Sequence, residues 1–347
     1  MFSKRKPPIN LAPSDACFFQ HEMVKEVPRH LINYYPNAIV SPDGVVLYKG
    51  KIELESLYAP SQKTIFKGIF QFYYNWLRFF IRNKRGTYLL AFDAWSFGYF
   101  HWMTEFIPRL FMIKNLIEDH TVIIPNINNG IWNKASAWRS LYRKSSALPR
   151  GGYFKGSLEA FHLKSIYRHD ARTPLLADRI CLSSHVAPSG NYNDQIMRDI
   201  RQFYFAHYEI SQAEPYRLVY ISRAQATRRH IENEKEVIER VRCHGFEIFQ
   251  FENLTLLDQI TLLSQTKYLI GQHGAALTNI MFMNENSFAL ELKAEGDFQN
   301  LCYFSLASAM NVNYLYQFCR TDGRSVQNAN IIVDLPTLSE NIKLVLK

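Results

Sequence analysis

The chain has 347 residues, 47% of them hydrophobic and 20% charged, with a formal net charge of +9 and a pI near 9.2. These values are typical of a globular protein long enough for two domains, each with its own core. No stretch approaches the roughly 18 consecutive apolar residues of a membrane span, which argues against an integral membrane protein. The positive charge favours polyanionic partners such as nucleotide diphosphates, acidic polysaccharide, anionic lipid or nucleic acid, although an inert basic surface is the simpler alternative.

The cysteines and the amino terminus bear on the cellular compartment. The five cysteines are Cys17, Cys181, Cys243, Cys302 and Cys319. None forms a Cys-x-x-Cys pair or a His–Cys spacing typical of zinc sites, so we expect reduced thiols and no metal centre. Residues 1–8 are basic but precede no apolar segment of the kind found in signal peptides. We therefore expect a cytoplasmic protein, with peripheral contact at the inner face of the cell membrane as an option.

The first part of the chain carries no evident chemistry. Residues 1–64 are interrupted by prolines and are interpreted as an irregular extension with one hairpin, closed at Asp43-Gly44. The following segment, residues 66–85, is densely aromatic and ends in a basic cluster. As a helix it could lie in a membrane interface, but it could equally be a buried helix with a solvated basic end.

The first clear strand, residues 87–92, ends at Asp93 and is followed by a predicted helix. On that helix His101 and Glu105 are spaced i,i+4 and share one face. Pro108 is expected to kink the helix, because it cannot donate to the carbonyl four residues earlier. The pair could be a simple ion pair on an exposed face. It also follows the carboxyl end of a strand, which is where open α/β sheets place their active sites.

The middle of the chain contains a predicted domain boundary. Residues 122–125 and 179–183 are predicted strands, and the polar, turn-rich run 185–194 is interpreted as a linker. Asn193 or Asp194 is expected to cap the next helix.

From residue 215 onward, predicted strands and helices alternate regularly. The predicted elements are strands at 217–222, 246–251, 268–271 and 288–292, and helices at 232–244, 254–265 and 334–347. This alternation predicts parallel βαβ units and an α/β fold.

One turn in this region is typical of an anion site. Residues 268–279 are predicted to form a buried strand that breaks at Gly271 and re-enters a helix, with Gly274 and Ala275 at the turn. The first turn of a helix has unpaired N–H donors and a partial positive charge, so an anion could approach the main chain there. The alternative is a tight βα turn in which His273 is a structural histidine.

Several motifs, taken in order, give the chain a family resemblance. They are Ser222-Arg223, Arg229, Asn233-Glu234, the run Gly271-Gln-His273-Gly274-Ala275-Ala-Leu-Thr-Asn279, and Glu291-Leu292. This set resembles the family 61 glycosyltransferases, and the resemblance runs from about Phe92 to about Tyr316. Ala276 departs from it, since the family more often has glycine there. Because the chain lacks the membrane anchor of animal and plant members, the resemblance suggests a bacterial-type enzyme that builds polysaccharide, as in capsule or lipopolysaccharide.

The resemblance implies a fold and a reaction. The expected fold is two facing Rossmann-like domains, termed GT-B, with an acceptor domain at 65–190 and a nucleotide-sugar domain at 191–347. The expected reaction is inverting transfer from a UDP-linked sugar to a glycan or lipid-linked acceptor. Since no Asp-x-Asp motif is present, no metal ion is demanded, and the nucleotide sugar is a co-substrate rather than a cofactor.

The resemblance also implies roles for individual residues. The expected donor-binding residues are Arg223, Arg229, Gly271, His273, Gly274, Ala275, Asn279 and Glu291. The arginines would clamp the diphosphate, whose developing charge is the largest barrier term. Glu291 would hold the ribose hydroxyl groups, or would instead pair with Lys293.

The acceptor base is expected to be Glu105, with His101 second and Asp93 third, because a partly desolvated carboxylate gains basicity. A different class of function, a non-catalytic carbohydrate or nucleic-acid binding protein, would also explain the basic charge and the aromatic segment. Nucleic acid is the less expected partner. A dinucleotide-dependent oxidoreductase is disfavoured because no Gly-x-Gly-x-x-Gly follows a predicted strand.

Overall fold

The computed structural model describes residues 2–58, 81–125, 152–169, 173–226 and 228–346. The chain forms two compact units: the N-unit, residues 28–189, and the C-unit, residues 1–27 with 190–347. Each unit contains helices and a sheet with parallel strands, so the predicted α/β class is confirmed. The first 64 residues are not one extension, because residues 1–27 belong to the C-unit and later ones add strands to the N-unit sheet.

The N-unit is built on one mixed sheet. Its described strands are β3 (Ile32–Val40), β4 (Val46–Tyr48), β5 (Lys51–Ile52), β6 (Arg82–Leu90), β7 (Thr121–Pro125), β8 (Ile166–His169) and β9 (Leu175–Ser183). Their order is β5-β4-β3-β9-β6-β7-β8. The strands from β9 to β8 are parallel, whereas β3, β4 and β5 add antiparallel at one side. The turn between β3 and β4 contains Gly44.

Most of the described helical residues of the N-unit follow β6. They are α2 (Tyr99–His101), a π-helical turn (Trp102–Phe106), α3 (Ile107–Met112) and α4 (Gly152–Glu159), with 3-10 turns at Leu54–Ser56 and Lys114–Leu116. In the π-helical turn the Ile107 N–H donates to Trp102 O, five residues earlier. Pro108 has no N–H to offer the Thr104 carbonyl, so the regular bonding pattern is interrupted near the expected position.

The aromatic segment is described only at its basic end. Residues 82–85, which the sequence analysis assigned to a helix, form the start of β6, because they pair in parallel with β9 from Leu175 onward. The membrane contact was expected through residues 66–85, of which residues 66–80 lie outside the described residues. None of the helices in the described ranges is long and apolar enough to cross a lipid bilayer.

The C-unit has a more regular parallel sheet. Its strands are β10 (Arg217–Ile221), β11 (Glu247–Phe249), β12 (Thr266–Gln272), β13 (Phe288–Ala294), β14 (Asn313–Thr321) and β15 (Ile331–Ile332). The order is β11-β10-β12-β13-β14-β15, parallel as far as β14 and antiparallel at β15. The direction of strand addition therefore reverses between β10 and β12. In open α/β sheets, ligands bind at the carboxyl ends of the strands beside such a reversal.

Helices cover this sheet. They are α5 (Asp194–His207), α6 (Glu234–Arg242), α7 (Leu256–Ser264), α8 (Cys302–Ala309) and α9 (Leu335–Val345), with 3-10 segments at Phe251–Asn253 and Ala275–Phe282. Asn193 caps α5 as predicted, since its side chain accepts from Ile196 N–H. Val237 and Val241 of α6 join Leu338 and Ile342 of α9 in a core cluster with the strands.

Two further features of the C-unit differ from the sequence-based expectations. The segment after His273 is a 3-10 helix rather than an α-helix. The first residues of the chain also contribute a short antiparallel pair, β1 (Phe2–Lys4) with β2 (Val24–Glu26), a 3-10 turn (Pro13–Asp15) and α1 (Ala16–Gln20).

The turn between β3 and β4 gives a test of the N-unit. Gly44 has φ +84°, and a Cβ there would lie 2.6 Å from the Phe92 carbonyl oxygen. Gly50 has a similar φ, +77°, but a Cβ there would meet nothing within 4 Å. Both Gly→Ala variants carry the cost of a left-handed alanine, about 1–2 kcal/mol. We expect Gly44→Ala to lower the free energy of unfolding by about 1–3 kcal/mol more than Gly50→Ala, measured by urea denaturation. Equal losses would contradict the close approach to Phe92.

Candidate functional site

Arg223 stands two residues beyond the end of β10, beside the point where the strand order reverses. Its Nε donates to Arg229 O at 3.1 Å and its Nη2 donates to Arg228 O at 3.0 Å. Its own backbone N–H donates to Glu234 Oε1 at 2.8 Å. Glu234 therefore holds the main chain rather than the charge, and the guanidinium is oriented by two carbonyl groups.

Arg223 and Arg229 form a positive pair. Burial, together with the neighbouring Arg229 guanidinium, lowers the pKa of Arg223. Among the described residues, neither arginine has a carboxylate within 4 Å of its guanidinium. Arg229 also has φ +58°, a left-handed conformation that costs a residue with a Cβ about 1–3 kcal/mol. Such strain is common where a ligand is held.

Gly274 brings the turn against this pair. A Cβ at Gly274 would lie 2.7 Å from Arg223 Nη1 and 3.6 Å from Arg229 Nη2. The lack of a side chain thus lets both guanidinium groups reach the main chain. Ala275 and Ala276 begin the 3-10 helix, whose first internal bond runs from Leu277 N–H to Gly274 O. Their N–H groups precede that bond, so the anion site expected at this turn keeps its main-chain donors.

His273 is held by hydrogen bonds to both ring nitrogens. Nδ1 donates to Glu291 Oε1, and Asn300 Nδ2 donates to Nε2 at 3.1 Å. The Tyr303 ring lies 5.1 Å from the imidazole, centroid to centroid. These contacts fix the orientation of the imidazole and engage both of its ring nitrogens.

Glu291 is buried, with 1% of its side chain exposed. Oε2 accepts from the Tyr314 hydroxyl at 2.6 Å, and Oε1 accepts from His273 and lies 3.8 Å from Lys293 Nζ. Burial alone would raise the pKa of Glu291, but Lys293, His273 and Tyr314 outweigh it and hold the pKa below the ordinary value. The expected grip on ribose hydroxyl groups is therefore corrected, because both oxygens are already engaged inside the protein. The alternative pairing with Lys293 is the observed one.

Two other residues predicted to bind the donor, Gly271 and Asn279, make contacts that support the turn from inside the protein. A Cβ at Gly271 would lie 3.0 Å from Leu277 Cδ2 and 3.6 Å from Ile221 Cδ1, so this glycine lets the 3-10 helix pack on the strand. Asn279 is fully buried, and its Nδ2 donates to Ala276 O at 3.0 Å. These residues shape the turn from within.

In the N-unit, His101 and Glu105 meet as the i,i+4 spacing predicts. His101 Nδ1 lies 3.0 Å from Glu105 Oε2, and the Ser189 hydroxyl donates to Glu105 Oε1 at 2.9 Å. The alternative of an exposed ion pair is wrong, because the Glu105 side chain is 0% exposed. Burial, with a contribution from Asp93, raises the pKa of Glu105 despite the opposing effects of His101 and Ser189. A raised pKa suits a group that exchanges protons.

His101 is the accessible member of this pair. Its side chain is 19% exposed, and its ring lies 5.2 Å from that of Trp95, which is 45% exposed. No described residue hydrogen-bonds its Nε2. Because Glu105 accepts at Nδ1, the imidazole presents Nε2 outward, as in a histidine oriented by a carboxylate.

Asp93, the third candidate for the base, makes only contacts that support the structure. Its Oδ1 accepts from Trp95 N–H at 2.7 Å, and its Oδ2 lies 3.5 Å from Arg109 Nη1 and 3.3 Å from His185 Nε2. Arg109 is fully buried, and burial beside it lowers the pKa of His185 to about 2. Asp93 therefore balances a buried arginine and holds the turn that carries Trp95. It is not placed to act as the base.

Sequence reasoning missed several residues that complete these clusters. They are Tyr314, Asn300, Ser189, His185 and Arg109. Arg109 directly follows Pro108 on the predicted helix, and His185 lies in the polar run 185–194, so both lie within segments that the sequence made conspicuous. Tyr314 and Asn300 carry no sequence signal, because only the sheet register and the chain path bring them to Glu291 and His273. Among the described residues, no group of His, Cys, Asp or Glu is arranged to hold a metal ion.

Comparison with known proteins gives a family and partial relatives. A family model described as Glycosyltransferase 61 matches residues 99–290, more than half of the chain. The chain is similar to the EGF domain-specific O-linked N-acetylglucosamine transferases of Bos taurus and Rattus norvegicus, at 29% and 28% identity over 136 residues. Each match covers 37% of this chain and 25% of the relative, so it spans about a quarter of the relatives' length. These relatives are animal proteins, and the narrower bacterial expectation stays a prediction.

Removal of the Tyr314 hydroxyl tests whether Glu291 is buried in its charged form. Because the folded pKa of Glu291 is depressed, its contribution to stability is present above the unfolded pKa and is lost as pH falls through the folded pKa. We expect Tyr314→Phe to cost about 1.5–3 kcal/mol at pH 7, with a smaller penalty below about pH 4.5, in denaturation at several pH values. Tyr316→Phe is the control on the same strand, since its hydroxyl donates to the partly exposed Asp15. A Tyr314→Phe variant as stable as wild type at pH 7 would refute a buried, charged Glu291.

Proposed function

The chain belongs to glycosyltransferase family 61, and we propose that it transfers a sugar from a UDP-linked donor to a glycan or lipid-linked acceptor, with inversion and without a metal ion. One observation carries the proposal. Arg223, Arg229 and the turn after His273 converge beside the reversal of strand order in the C-unit, and no carboxylate of the described residues lies within 4 Å of either guanidinium. A diphosphate is the partner that such a site fits.

The proposed donor site acts on the leaving group. Arg223 and Arg229 would bind the diphosphate oxygens with forked donors, while the N–H groups of Ala275 and Ala276 would bind from the main chain. His273, held by Glu291 and Asn300, would fix the position of the turn that carries these N–H groups. Because these groups are positioned before the reaction, they would stabilise the charge that develops as the bond from the anomeric carbon to the phosphate oxygen breaks.

The proposed base is in the N-unit. The accessible His101 Nε2 would take the proton of the acceptor hydroxyl as its oxygen bonds to the anomeric carbon, and UDP would leave with the bonding electrons. Glu105 would orient the imidazole and stabilise its charged form. This proposal moves the leading role from Glu105 to His101, because the Glu105 side chain is 0% exposed and faces His101 and Ser189.

Reaction between the two units requires their sites to face each other. We therefore also propose the GT-B arrangement, with the N-unit and C-unit as Rossmann-like domains on either side of the substrates. The parallel order of β10 to β14 and of β6 to β8 supports such domains.

The relatives' names suggest which substrates to test first. N-acetylglucosamine is the first donor sugar, because those proteins are N-acetylglucosamine transferases. Their names also specify an EGF domain, so a folded EGF domain is the competing acceptor to compare with oligosaccharides. Transfer to the EGF domain alone would replace the glycan acceptor and would leave the proposed donor site intact.

The donor site is tested by Arg223→Ala. The loss of charge-assisted hydrogen bonds to phosphate, worth about 1.5–3 kcal/mol, predicts a roughly 10–100-fold weaker Kd for UDP by isothermal titration. Arg228→Ala is the matched control, since that arginine is exposed and its backbone carbonyl, which accepts from Arg223, is retained. The donor proposal fails if wild type binds no UDP-, GDP- or CMP-sugar, or if both variants bind UDP equally well.

The base is tested by His101→Ala and Glu105→Gln. Both should reduce sugar transfer by about 10²–10⁴-fold and leave the Kd for UDP unchanged, because they lie in the N-unit. Since the pKa of Glu105 is raised, its protonation should place the acid limb of the wild-type rate above pH 4.5. His120→Ala, another N-unit histidine, is the control. Full transfer by either variant would remove the pair from catalysis, and tight UDP binding without wild-type turnover would favour a binding protein.

A further inference from the structure

The N-terminal arm, residues 2–27, is distant in sequence from the rest of the C-unit but is hydrogen-bonded to its sheet. Ile9 N–H donates to Tyr314 O at 2.9 Å. Asn10 Nδ2 donates to Tyr316 O at 2.7 Å, and Tyr316 N–H donates back to Asn10 Oδ1 at 3.2 Å. Since β15 pairs with β14 only at Arg320 and Thr321, the arm occupies the edge of β14 that β15 leaves open.

The arm also contacts the loop that follows β13, residues 295–301. The Phe18 ring is stacked on Phe298 with centroids 4.1 Å apart and planes at 5°. Phe318 of β14 packs edge-on against both rings, at 6.0 Å from Phe18 and 5.0 Å from Phe298. Such aromatic pairs contribute about 0.5–1.5 kcal/mol beyond the area they bury.

Loop 295–301 in turn reaches the His273 cluster. Asn300 Nδ2 donates to His273 Nε2, and Asn300 O accepts from Lys293 Nζ at 2.5 Å. Asp297 lies 3.9 Å from the same Lys293 nitrogen. Four residues of the loop are exposed, namely Glu295, Gly296, Gln299 and Asn300. Phe298, the residue between Asp297 and Gln299, is therefore the ring through which the arm fixes the loop.

We propose that Phe18 is a positioning residue for the donor site: by stacking on Phe298 it holds loop 295–301, and through Asn300 it sets the position of His273. The expected effect on donor binding rests on the proposed function. The proposal makes the N-terminal arm part of the donor-binding unit, because a loop with so few buried side chains opens locally when its anchor is lost.

The test compares Phe18→Ala with Phe2→Ala in the full chain. Phe2 lies on the same arm but is 68% exposed, so the control removes an equal side chain without touching the loop. We expect Phe18→Ala to speed hydrogen exchange of the 295–301 amides at least about tenfold and to weaken the Kd for UDP about 3–10-fold. Turnover at saturating donor should stay near wild type, so the change is in KM. Phe18→Tyr, which keeps the ring, should restore both values.

Two outcomes would overturn the proposal. Loop exchange and UDP affinity in Phe18→Ala could match those of Phe2→Ala, or the melting temperature could fall while the loop and UDP affinity stay unchanged. The exchange measurement needs no nucleotide. If wild-type protein bound no UDP, the donor proposal would fail, while faster loop exchange in Phe18→Ala would still show that the arm holds the loop.

Discussion

The buried carboxylate of Glu291 is the constraint on which the C-unit site depends. A charge removed from water is costly unless it is paired and hydrogen-bonded, and each partner here comes from a different place in the fold. His273 follows β12, Lys293 lies on β13 itself and Tyr314 lies on β14. The three meet only if the parallel strands keep their register, in which Gly271 lies opposite Glu291 and Glu291 opposite Tyr316. The contacts that satisfy the carboxylate also fix the orientation of His273, so the folding of the sheet determines the geometry of the site.

The N-unit contains a second histidine that is hydrogen-bonded to a buried glutamate. The glutamate, Glu105, again accepts a hydrogen bond from the Nδ1 of a histidine, here His101. Here the two residues are neighbours on one helix, and the π-helical turn that contains Glu105 lies just before Pro108. The difference between the two glutamates lies in their surroundings. A nearby lysine keeps the pKa of Glu291 low, whereas burial near Asp93 raises the pKa of Glu105. One is a permanent anion for orientation, and the other is suited to share a proton.

Features that depend on residues close together in the chain could be predicted from the sequence, whereas features that depend on distant residues could not. The i,i+4 spacing of His101 and Glu105 and the βαβ alternation after residue 215 are local patterns, and both were read correctly. Strand β14 was missed because residues 301–319 form a nearly continuous apolar run, in which the period does not separate helix from strand. The position of residues 1–27 depends on contacts with residues about three hundred positions away, and the burial of Glu291 depends on the pairing of β13 with a strand on each side. From the sequence, a carboxylate at the end of a strand could bind a ligand. In the structure, the strands on both sides of β13 bring His273 and Tyr314 to Glu291, and these residues occupy its oxygens.

The arginine pair shows why an anion is the natural complement of the C-unit turn. Arg223 and Arg229 repel each other, and burial adds to the effect on the pKa of Arg223. The chain nevertheless holds Arg223 with two backbone carbonyls and accepts a left-handed Arg229 to provide one of them. It also keeps Gly274 where any side chain would displace the guanidinium. Charges of one sign, oriented by the main chain and lacking a carboxylate partner among the described residues, are destabilising until a ligand supplies the opposite charge. In the proposed donor site, relief of this repulsion would contribute to the binding of a diphosphate.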